Sequence, residues 1–227
     1  MIEGDNSTFK NNSELIFDNV HFDWPGQNKV TIRNCSFSVN SSGLWMIIGK
    51  NGCGKSTLLK LAQGIIKPKQ GYIKKPLVIS MVFQNPDHQI LMPTCGSELV
   101  LNVKIKISRE ELQKKVFNAL NAVGLKGFYK RPIHTLSGGQ KQRLAIASAL
   151  ISDSQFILMD EPTAFLDEFS QKNILEIVKN LTSDLAKPIT AIWITHRIEE
   201  LKYADRVASM NNGKLSEWQN PSNFKNN

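Results

Sequence analysis

Residues 49–57 read Gly-Lys-Asn-Gly-Cys-Gly-Lys-Ser-Thr, and this stretch decides the fold class of a chain of 227 residues. It matches the pattern Gly-x-x-x-x-Gly-Lys-Ser/Thr, known as Walker A. An apolar run, residues 44–48, precedes it, and a helical segment, residues 56–63, follows it and ends at Gly64. A strand, a glycine-rich loop and a helix in this order predict a P-loop, whose backbone N–H groups face phosphate at a helix N-terminus.

The loop also predicts individual contacts with a nucleotide. Lys55 would place a positive charge at the β and γ phosphates, and the Ser56 hydroxyl would ligate Mg²⁺. A purely structural glycine-rich turn is the alternative, and the many fixed positions of the pattern disfavour it. The residues of this loop that we expect to bind ATP are Gly49, Asn51, Gly52, Cys53, Gly54, Lys55, Ser56 and Thr57.

A second stretch, residues 156–161, reads Phe-Ile-Leu-Met-Asp-Glu and has the form of a buried strand that ends in two carboxylates. Downstream of a Walker A loop this form is a Walker B motif. Asp160 would hold Mg²⁺ through water, and Glu161 would polarise the water that attacks the γ phosphorus. The two motifs together predict an enzyme that hydrolyses ATP and requires Mg²⁺.

A third stretch, residues 136–140, reads Leu-Ser-Gly-Gly-Gln and precedes an alanine-rich helix over residues 141–150. It resembles the signature of ATP-binding cassette (ABC) ATPases, which P-loop kinases and GTPases lack. Its backbone offers a second helix N-terminus that suits a γ phosphate. The resemblance implies that a dimer forms, in which ATP held by the opposite subunit is contacted by Leu136, Ser137, Gly138, Gly139 and Gln140.

The remaining elements of the ABC pattern follow in the family's order. By resemblance, Gln84 would sense Mg²⁺ and a membrane partner, Asp167 would lie across the dimer interface, and His196 would hydrogen-bond the γ phosphate. Trp24 stands where the family often has tyrosine and would stack on adenine, with packing in the core as the alternative. Phe165 departs from the family, which has a smaller residue there. The predicted catalytic residues are thus Glu161, His196 and Gln84, and the predicted metal ligands are Ser56, Gln84 and Asp160.

Residues 84–89, Gln-Asn-Pro-Asp-His-Gln, look like the Q-loop of ATPases from energy-coupling factor and cobalt-type importers of vitamins and metal ions. The alternatives are a soluble ABC ATPase that acts on nucleic acid or ribosomes, and one that assembles iron–sulphur clusters. The sequence contains one cassette, whereas translation factors of this type carry two. Between Lys55 and Ser137 it lacks the sustained heptads of the coiled-coil repair ATPases. We therefore expect an importer subunit whose substrate the sequence does not identify.

The charge distribution and the cysteines argue against a nucleic-acid partner, a disulfide framework and a zinc site. The formal net charge is +8, but the basic residues are scattered, which favours solvated faces over a nucleic-acid patch. Cys35, Cys53 and Cys95 lack a Cys-x-x-Cys spacing, so neither a disulfide framework nor a zinc site is indicated. We expect Cys35 to be buried, Cys95 to lie on a partner-facing surface, and Cys53 to be a reactive thiol in the phosphate loop. The alternative for Cys53 is a side chain that points away from the phosphates and only fills space.

The apolar stretches are all far shorter than the roughly 18 to 20 residues of a membrane-spanning helix. The cysteines fit a reducing compartment, and the resemblance to ABC ATPases implies the cytoplasm, peripherally on the inner face of the cell membrane. The expected partners are a second ABC ATPase subunit, identical or related, and an integral membrane transport subunit, with no nucleic acid.

The predicted architecture is an α/β P-loop cassette with a mainly parallel sheet, an N-terminal antiparallel β region and a helical signature subdomain. Residues 14–85 and 153–219 would form the ATP-binding core, and residues 86–152 the helical subdomain. Ile16, Val20 and Phe22 are predicted to share the buried face of a strand. A capping box at Ser108 predicts a helix, Asn212 and Gly213 predict a hairpin, and the polar ends, residues 1–13 and 220–227, are predicted to be disordered.

Overall fold

The computed structural model describes residues 14–26, 31–103 and 106–224. Among the helices of these residues, none combines the length and the hydropathy of a membrane span. The strands are β1 (Leu15–Phe22), β2 (Ile32–Val39), β3 (Gly43–Ile48), β4 (Gln70–Lys74), β5 (Ile79–Val82), β6 (Phe156–Asp160), β7 (Thr190–Thr195), β8 (Arg206–Asn211) and β9 (Lys214–Leu215). The α-helices are α1 (Lys55–Gln63), α2 (Cys95–Leu101), α3 (Arg109–Ala122), α4 (Gly138–Ile151) and α5 (Glu168–Ser183). Short 3₁₀ helices cover Pro86–His88, Ile133–Thr135, Ile198–Tyr203 and Pro221–Asn223.

A six-stranded sheet lies at the centre, in the order β5-β6-β7-β3-β8-β9. Its pairs are parallel except for β8 with β9, which the turn at Asn212 and Gly213 joins as an antiparallel hairpin. Every residue of β3 and of β7 is buried, as expected for parallel strands that are covered on both faces. The mainly parallel α/β fold and the hairpin are confirmed.

The two faces of this sheet pack into two different hydrophobic cores, because successive side chains of a strand point in opposite directions. Leu44 and Met46 of β3 pack in one core with Leu120 of α3 and other residues of the helices. Trp45 and Ile47 pack in the second core with α1 and the antiparallel sheet. The helices within residues 86–152 therefore share a core with the central sheet, and their limits as a separate subdomain remain a prediction.

A three-stranded antiparallel sheet, in the order β2-β1-β4, covers the second core and confirms the expected N-terminal β region. The prediction for Ile16 is wrong, because Leu15 and Phe17 are the buried residues at this end of β1. The register of β1 against β2 shifts between Phe17 and Val20, and Asn19 has φ of 47° within that interval. Such a bulge changes which alternate side chains face the core.

Two further local predictions have different outcomes. Ser108 and Glu111 form the expected capping box at the start of α3. The prediction of disorder is wrong for residues 220–224, where Asn220 caps a 3₁₀ helix and Phe224 packs against the first core. The other residues predicted to be disordered, 1–13 and 225–227, lie outside the described residues.

Gly71 in β4 provides a test of this packing. Its φ is +83°, and a Cβ there would lie 2.4 Å from the carbonyl oxygens of Asp18 and Asn19. Gly127 has a similar φ of +82° but nothing within 4 Å of such a Cβ. Gly127→Ala should therefore lower the free energy of unfolding only by the cost of a left-handed backbone at a residue with a Cβ, about 1 to 2 kcal/mol. Gly71→Ala should lower it by the same cost and by about 1 to 3 kcal/mol more, because its Cβ overpacks against β1.

The free energies of unfolding of the two variants and the parent, measured by urea titration, check this prediction. Equal losses for Gly71→Ala and Gly127→Ala would contradict the claimed contact between β4 and the bulge of β1.

Candidate functional site

The Walker A loop leaves β3 and curls around the amino group of Lys55. Lys55 is only 5% exposed, and its Nζ donates hydrogen bonds to the carbonyl oxygens of Gly49 at 2.7 Å and Lys50 at 3.2 Å. Gly49 is required for close packing, because a Cβ there would lie 2.4 Å from the carbonyl oxygen of Met210. The lack of a side chain at Gly49 therefore lets the loop pack directly against β8.

Two carboxylates stand opposite this lysine at the end of β6. The Ser56 hydroxyl donates to Oδ1 of Asp160 at 3.1 Å, and Oε1 of Glu161 lies 3.5 Å from Nζ of Lys55. Burial raises the pKa of Asp160, and the nearby charge of Glu161 raises it further. A bound cation would favour the ionised form of Asp160.

Glu161 is held between two segments of the chain. Its backbone has φ of 44°, an uncommon value for a residue with a side chain, and its N–H donates to the carbonyl oxygen of Ile194 in β7. Nδ1 of His196, just after β7, lies 3.0 Å from Oε2 of Glu161. The strained backbone directs the carboxylate toward both Lys55 and His196, and strain of this kind is concentrated at functional sites.

Lys55, Asp160 and Glu161 open into a cavity of about 450 Å³, and the predicted site residues Gly49 and His196 are not among those that line it. Of the predicted site residues, the cavity is lined by Trp24, Asn51, Gly52, Cys53, Gly54, Lys55, Ser56, Thr57, Gln84, Asp160 and Glu161. Sequence reasoning missed three further lining residues, Thr31, Asn212 and Gly213. The N–H of Gly213 donates to the carbonyl oxygen of Cys53 at 3.1 Å, so the β8–β9 turn supports the loop. The hairpin was readable from the sequence, but its position against the P-loop was not.

Trp24 lies at one wall of this cavity, just beyond the end of β1. Its Nε1 is 3.4 Å from Oγ1 of Thr57, and its ring meets Phe22 edge-on with centroids 5.1 Å apart. Nζ of Lys60 lies 5.4 Å from the centre of the indole ring. Trp24 is therefore partly packed and partly presented to the cavity, which fits a stacking surface; adenine stacking stays a prediction.

The signature residues 136–140 lie outside this cavity, within the part of the chain that the structure describes. Ser137 and Gln140 form a capping box at the N-terminus of α4, so each satisfies a backbone N–H of the other. The two glycines between them pack against the segment that precedes and begins α5. A Cβ on Gly138 would lie 3.4 Å from Leu166, and a Cβ on Gly139 would lie 2.8 Å from Oγ of Ser170.

Asp167 is in this same segment and caps α5. Its carboxylate accepts from the N–H and the hydroxyl of Ser170 at 2.9 Å and 2.7 Å. These bonds hold the pKa of Asp167 below its usual range. Asp167 therefore fixes the loop that packs on the signature turn, and its predicted contact across a dimer is untested.

The Q-loop is joined to the signature helix by two contacts. Nε2 of the buried Gln142 donates to the carbonyl oxygen of Phe83 at 3.1 Å, directly before Gln84. Nζ of Lys141 lies 2.7 Å from Oδ1 of Asp87. A displacement of the Q-loop would therefore act on α4 within the same chain.

Of the three cysteines, only Cys53 lines the cavity. Cys35 is buried, which raises the pKa of its thiol to about 11. The prediction that Cys95 is partner-facing is wrong: it is fully buried at the start of α2, and burial raises the pKa of its thiol. Cys53 is half-buried, so it is the most accessible thiol of the three.

The fold and the cavity define a P-loop nucleoside triphosphate hydrolase, and comparisons with known proteins specify the family. The profile of a family described as ABC transporter matches residues 32–164. The chain is 48% identical over 188 residues to ABC transporter I family member 10 of Arabidopsis thaliana, covering 81% of this chain and 69% of that protein. It is 36% identical over 220 residues to the energy-coupling factor transporter ATP-binding protein EcfA1 of Oceanobacillus iheyensis, covering 91% of this chain and 78% of that protein.

Two solved structures are similar over nearly the whole chain. One is cbiO1 from Clostridium perfringens, part of the ABC transporter complex cbiONQ, with a TM-score of 0.84 and 30% identity over 92% of this chain and 88% of that chain. The other is an ATP-binding cassette solved as a dimer in a post-hydrolysis state with ADP and Pi, with a TM-score of 0.75 and 25% identity over 92% of this chain and 100% of that chain.

The chain therefore belongs to the ABC transporter family and is an ABC ATPase that binds and hydrolyses ATP. Within the family it resembles the ATPases of energy-coupling factor and cobalt-type transporters, as residues 84–89 predicted.

The position of Cys53 predicts a single site of inactivation by thiol reagents. N-ethylmaleimide should label Cys53 far faster than Cys35 or Cys95 and should block ATP binding, because the adduct would occupy the cavity. MgATP should slow the labelling, and Cys53→Ser should give an active and resistant enzyme. Peptide mapping by mass spectrometry with parallel ATPase assays checks this. Full inactivation with Cys53 unlabelled would contradict it.

Proposed function

We propose that this chain is the ATPase subunit of an importer of the energy-coupling factor type. ATP hydrolysis between two cassettes would drive a vitamin or a metal ion through a membrane partner. The observation that carries the two-cassette part is the division of the site. Walker A and Walker B residues share one cavity, whereas the signature residues 136–140 are not among those that line it. The signature would instead contact the nucleotide of another cassette.

Binding of ATP would exchange partners at Lys55. In the structure its Nζ donates to the carbonyl oxygens of Gly49 and Lys50. Phosphate oxygens are stronger acceptors than neutral carbonyls, because the hydrogen bond is then assisted by charge on both sides. The backbone N–H groups at the start of α1 add a second attraction for the phosphates. Trp24, which lines the same cavity beside Thr57, would hold the adenine.

The residues present fit a Mg²⁺ ion that accompanies the nucleotide. The Ser56 hydroxyl and Oδ1 of Asp160 are 3.1 Å apart, and Gln84 lines the same cavity. Oxygen donors of this kind are the ligands that Mg²⁺ prefers. Bound there, Mg²⁺ would neutralise charge on the β and γ phosphates. Ser56 and Gln84 would ligate the ion, and Asp160 would hold it through water.

Glu161 and His196 would act on the γ phosphate. In the structure Glu161 is engaged by Lys55 at 3.5 Å and by His196 at 3.0 Å. When Lys55 turns to the phosphates, one oxygen of Glu161 becomes free to accept a hydrogen bond from the attacking water. His196 stays beside Glu161 and would donate to the γ phosphate. Asp167 would contact the second cassette.

Two similar structures support the proposed partners, and contacts between the Q-loop and the signature helix support the proposed coupling to them. The similar protein cbiO1 is part of a transporter complex, and a second similar cassette is dimeric. The second cassette here would be identical or related, and the membrane subunit would meet the Q-loop, residues 84–89, from the cytoplasmic side. Residues 86–152 would move as one subdomain against residues 14–85 and 153–219. The links from Gln142 and Lys141 would carry Q-loop motion to the signature.

Purification from detergent-solubilised membranes of the native source tests the transport part. An integral membrane subunit in stable ratio to this chain is expected. Recovery with ribosomes or with iron–sulphur assembly proteins instead would contradict an importer.

Glu161→Gln tests the assignment of the catalytic base. The amide keeps the size of the side chain but cannot take a proton, so turnover should fall by about 100-fold or more while ATP binding is retained. The variant should accumulate as an ATP-bound dimer. Phosphate release and light scattering on a sizing column measure the two effects. Exposed Glu199, changed to Gln, is the matched control for loss of charge. Near-normal hydrolysis by Glu161→Gln would refute the role of Glu161.

A further inference from the structure

We infer that Glu200 is a positioning residue that clamps the loop after Walker B to the segment that carries His196. The clamp would hold Glu161 and His196 together for hydrolysis. The inference rests on the catalytic roles proposed above for Glu161 and His196.

Glu200 is an acid buried in the protein interior, with 2% of its surface exposed. One carboxylate oxygen accepts from the Thr163 hydroxyl at 2.5 Å, and the other accepts from Nε1 of Trp193 at 2.9 Å. Nε of Arg197 lies 3.9 Å from the first oxygen. Burial of a carboxylate is unfavourable unless hydrogen bonds and charges compensate for it. Here both oxygens are engaged, so their geometry is tightly fixed.

The two donors belong to the two segments that carry the catalytic pair. Thr163 follows Glu161 by two residues, and Trp193 precedes His196 by three residues. Both donors are themselves buried, at 1% and 0% exposure. One side chain therefore joins the Walker B loop to β7, and none of Thr163, Trp193 and Glu200 lines the cavity.

The loop needs such a support because its backbone is strained at Glu161. The N–H of Ala164 donates to the carbonyl oxygen of Glu161 at 3.1 Å, and that of Leu166 to the carbonyl oxygen of Thr163 at 3.2 Å. Holding Thr163 in place therefore restrains the turn from Glu161 to Leu166. Leu166 is also the residue that packs beside the signature glycine Gly138. The clamp thus reaches the catalytic pair and the segment that would face a second cassette.

A satisfied buried acid with only a role in folding is the competing explanation. It predicts that removing a hydrogen bond lowers stability and the amount of folded protein. It predicts no change in the turnover of the molecules that remain folded. The positioning role predicts a loss in kcat at unchanged affinity, because Glu161 and His196 lose their alignment while the phosphate cradle around Lys55 is intact.

Thr163→Val and Thr163→Ser form the matched pair that separates the two explanations. Valine has the shape of threonine but lacks the hydroxyl, whereas serine keeps the hydroxyl and lacks the methyl group. For the chain of 227 residues, kcat is measured per bound nucleotide, below the unfolding temperature of each variant. Thr163→Val should lower kcat by about 10-fold to 100-fold, by analogy with the loss of residues that orient metal-binding side chains. KM for ATP should stay within about 2-fold, and Thr163→Ser should stay within about 2-fold of the parent in both constants.

Trp193→Phe removes the other donor and should also lower kcat more than it raises KM. Equal kcat for Thr163→Val and Thr163→Ser would overturn the inference. So would a loss that disappears once activity is scaled to bound nucleotide.

A second measurement does not depend on turnover. The NMR signals of the His196 imidazole, assigned with a His196→Gln variant, should shift in Thr163→Val and stay near the parent positions in Thr163→Ser. Unchanged His196 signals in Thr163→Val would overturn the clamp. A parent protein without ATPase activity would count against the proposed roles of Glu161 and His196, while the imidazole signals still decide whether Glu200 positions His196.

Discussion

The register of three parallel strands is the constraint on which the site depends. β7 pairs with β3 on one side and β6 on the other, with Ile48 opposite Thr195 and Asp160 opposite Ile194. All three strands therefore end at the same edge of the sheet. The phosphate loop, the Walker B carboxylates and His196 leave the sheet there, as ligand sites of open α/β sheets do. A slip of one strand by one residue would separate Lys55 from Glu161 and exchange the side chains that enter the two cores.

Within this frame the buried charge of Lys55 has partners before nucleotide arrives. Lys55 is buried, and a buried ammonium without partners would be costly. The carbonyl oxygens of Gly49 and Lys50, with Glu161, provide those partners. The contact with Lys55 also occupies one carboxylate oxygen of Glu161, so that oxygen is not free to act as a base. ATP binding would thus do two things through one lysine, since it would fill the cradle and release the carboxylate that activates water.

The parts of the fold that could be read from the sequence are those encoded in short stretches. The P-loop, the Walker B strand, the capping box at Ser108 and the hairpin at Asn212 each depend on neighbouring residues. The failures have long-range or irregular causes. The bulge at Asn19 inverted the expected burial of Ile16, and the start of α2 buried Cys95.

Glu200 could not be singled out from the sequence, because an acid in a polar stretch is normally exposed and the burial of Glu200 depends on Thr163 and Trp193.

Complementation between two inactive chains tests most directly that the cavity of one cassette is completed by the signature of another. Lys55→Ala disables the cavity, and Ser137→Arg disables the signature, so each variant alone should lack ATPase activity. In an equal mixture about half of the dimers would combine both chains, and each such dimer has one intact site. The account predicts recovery of about a quarter of the parent rate. Where the parent chain alone hydrolyses ATP, and so completes its sites with a second identical chain, a mixture as inactive as its components would contradict it.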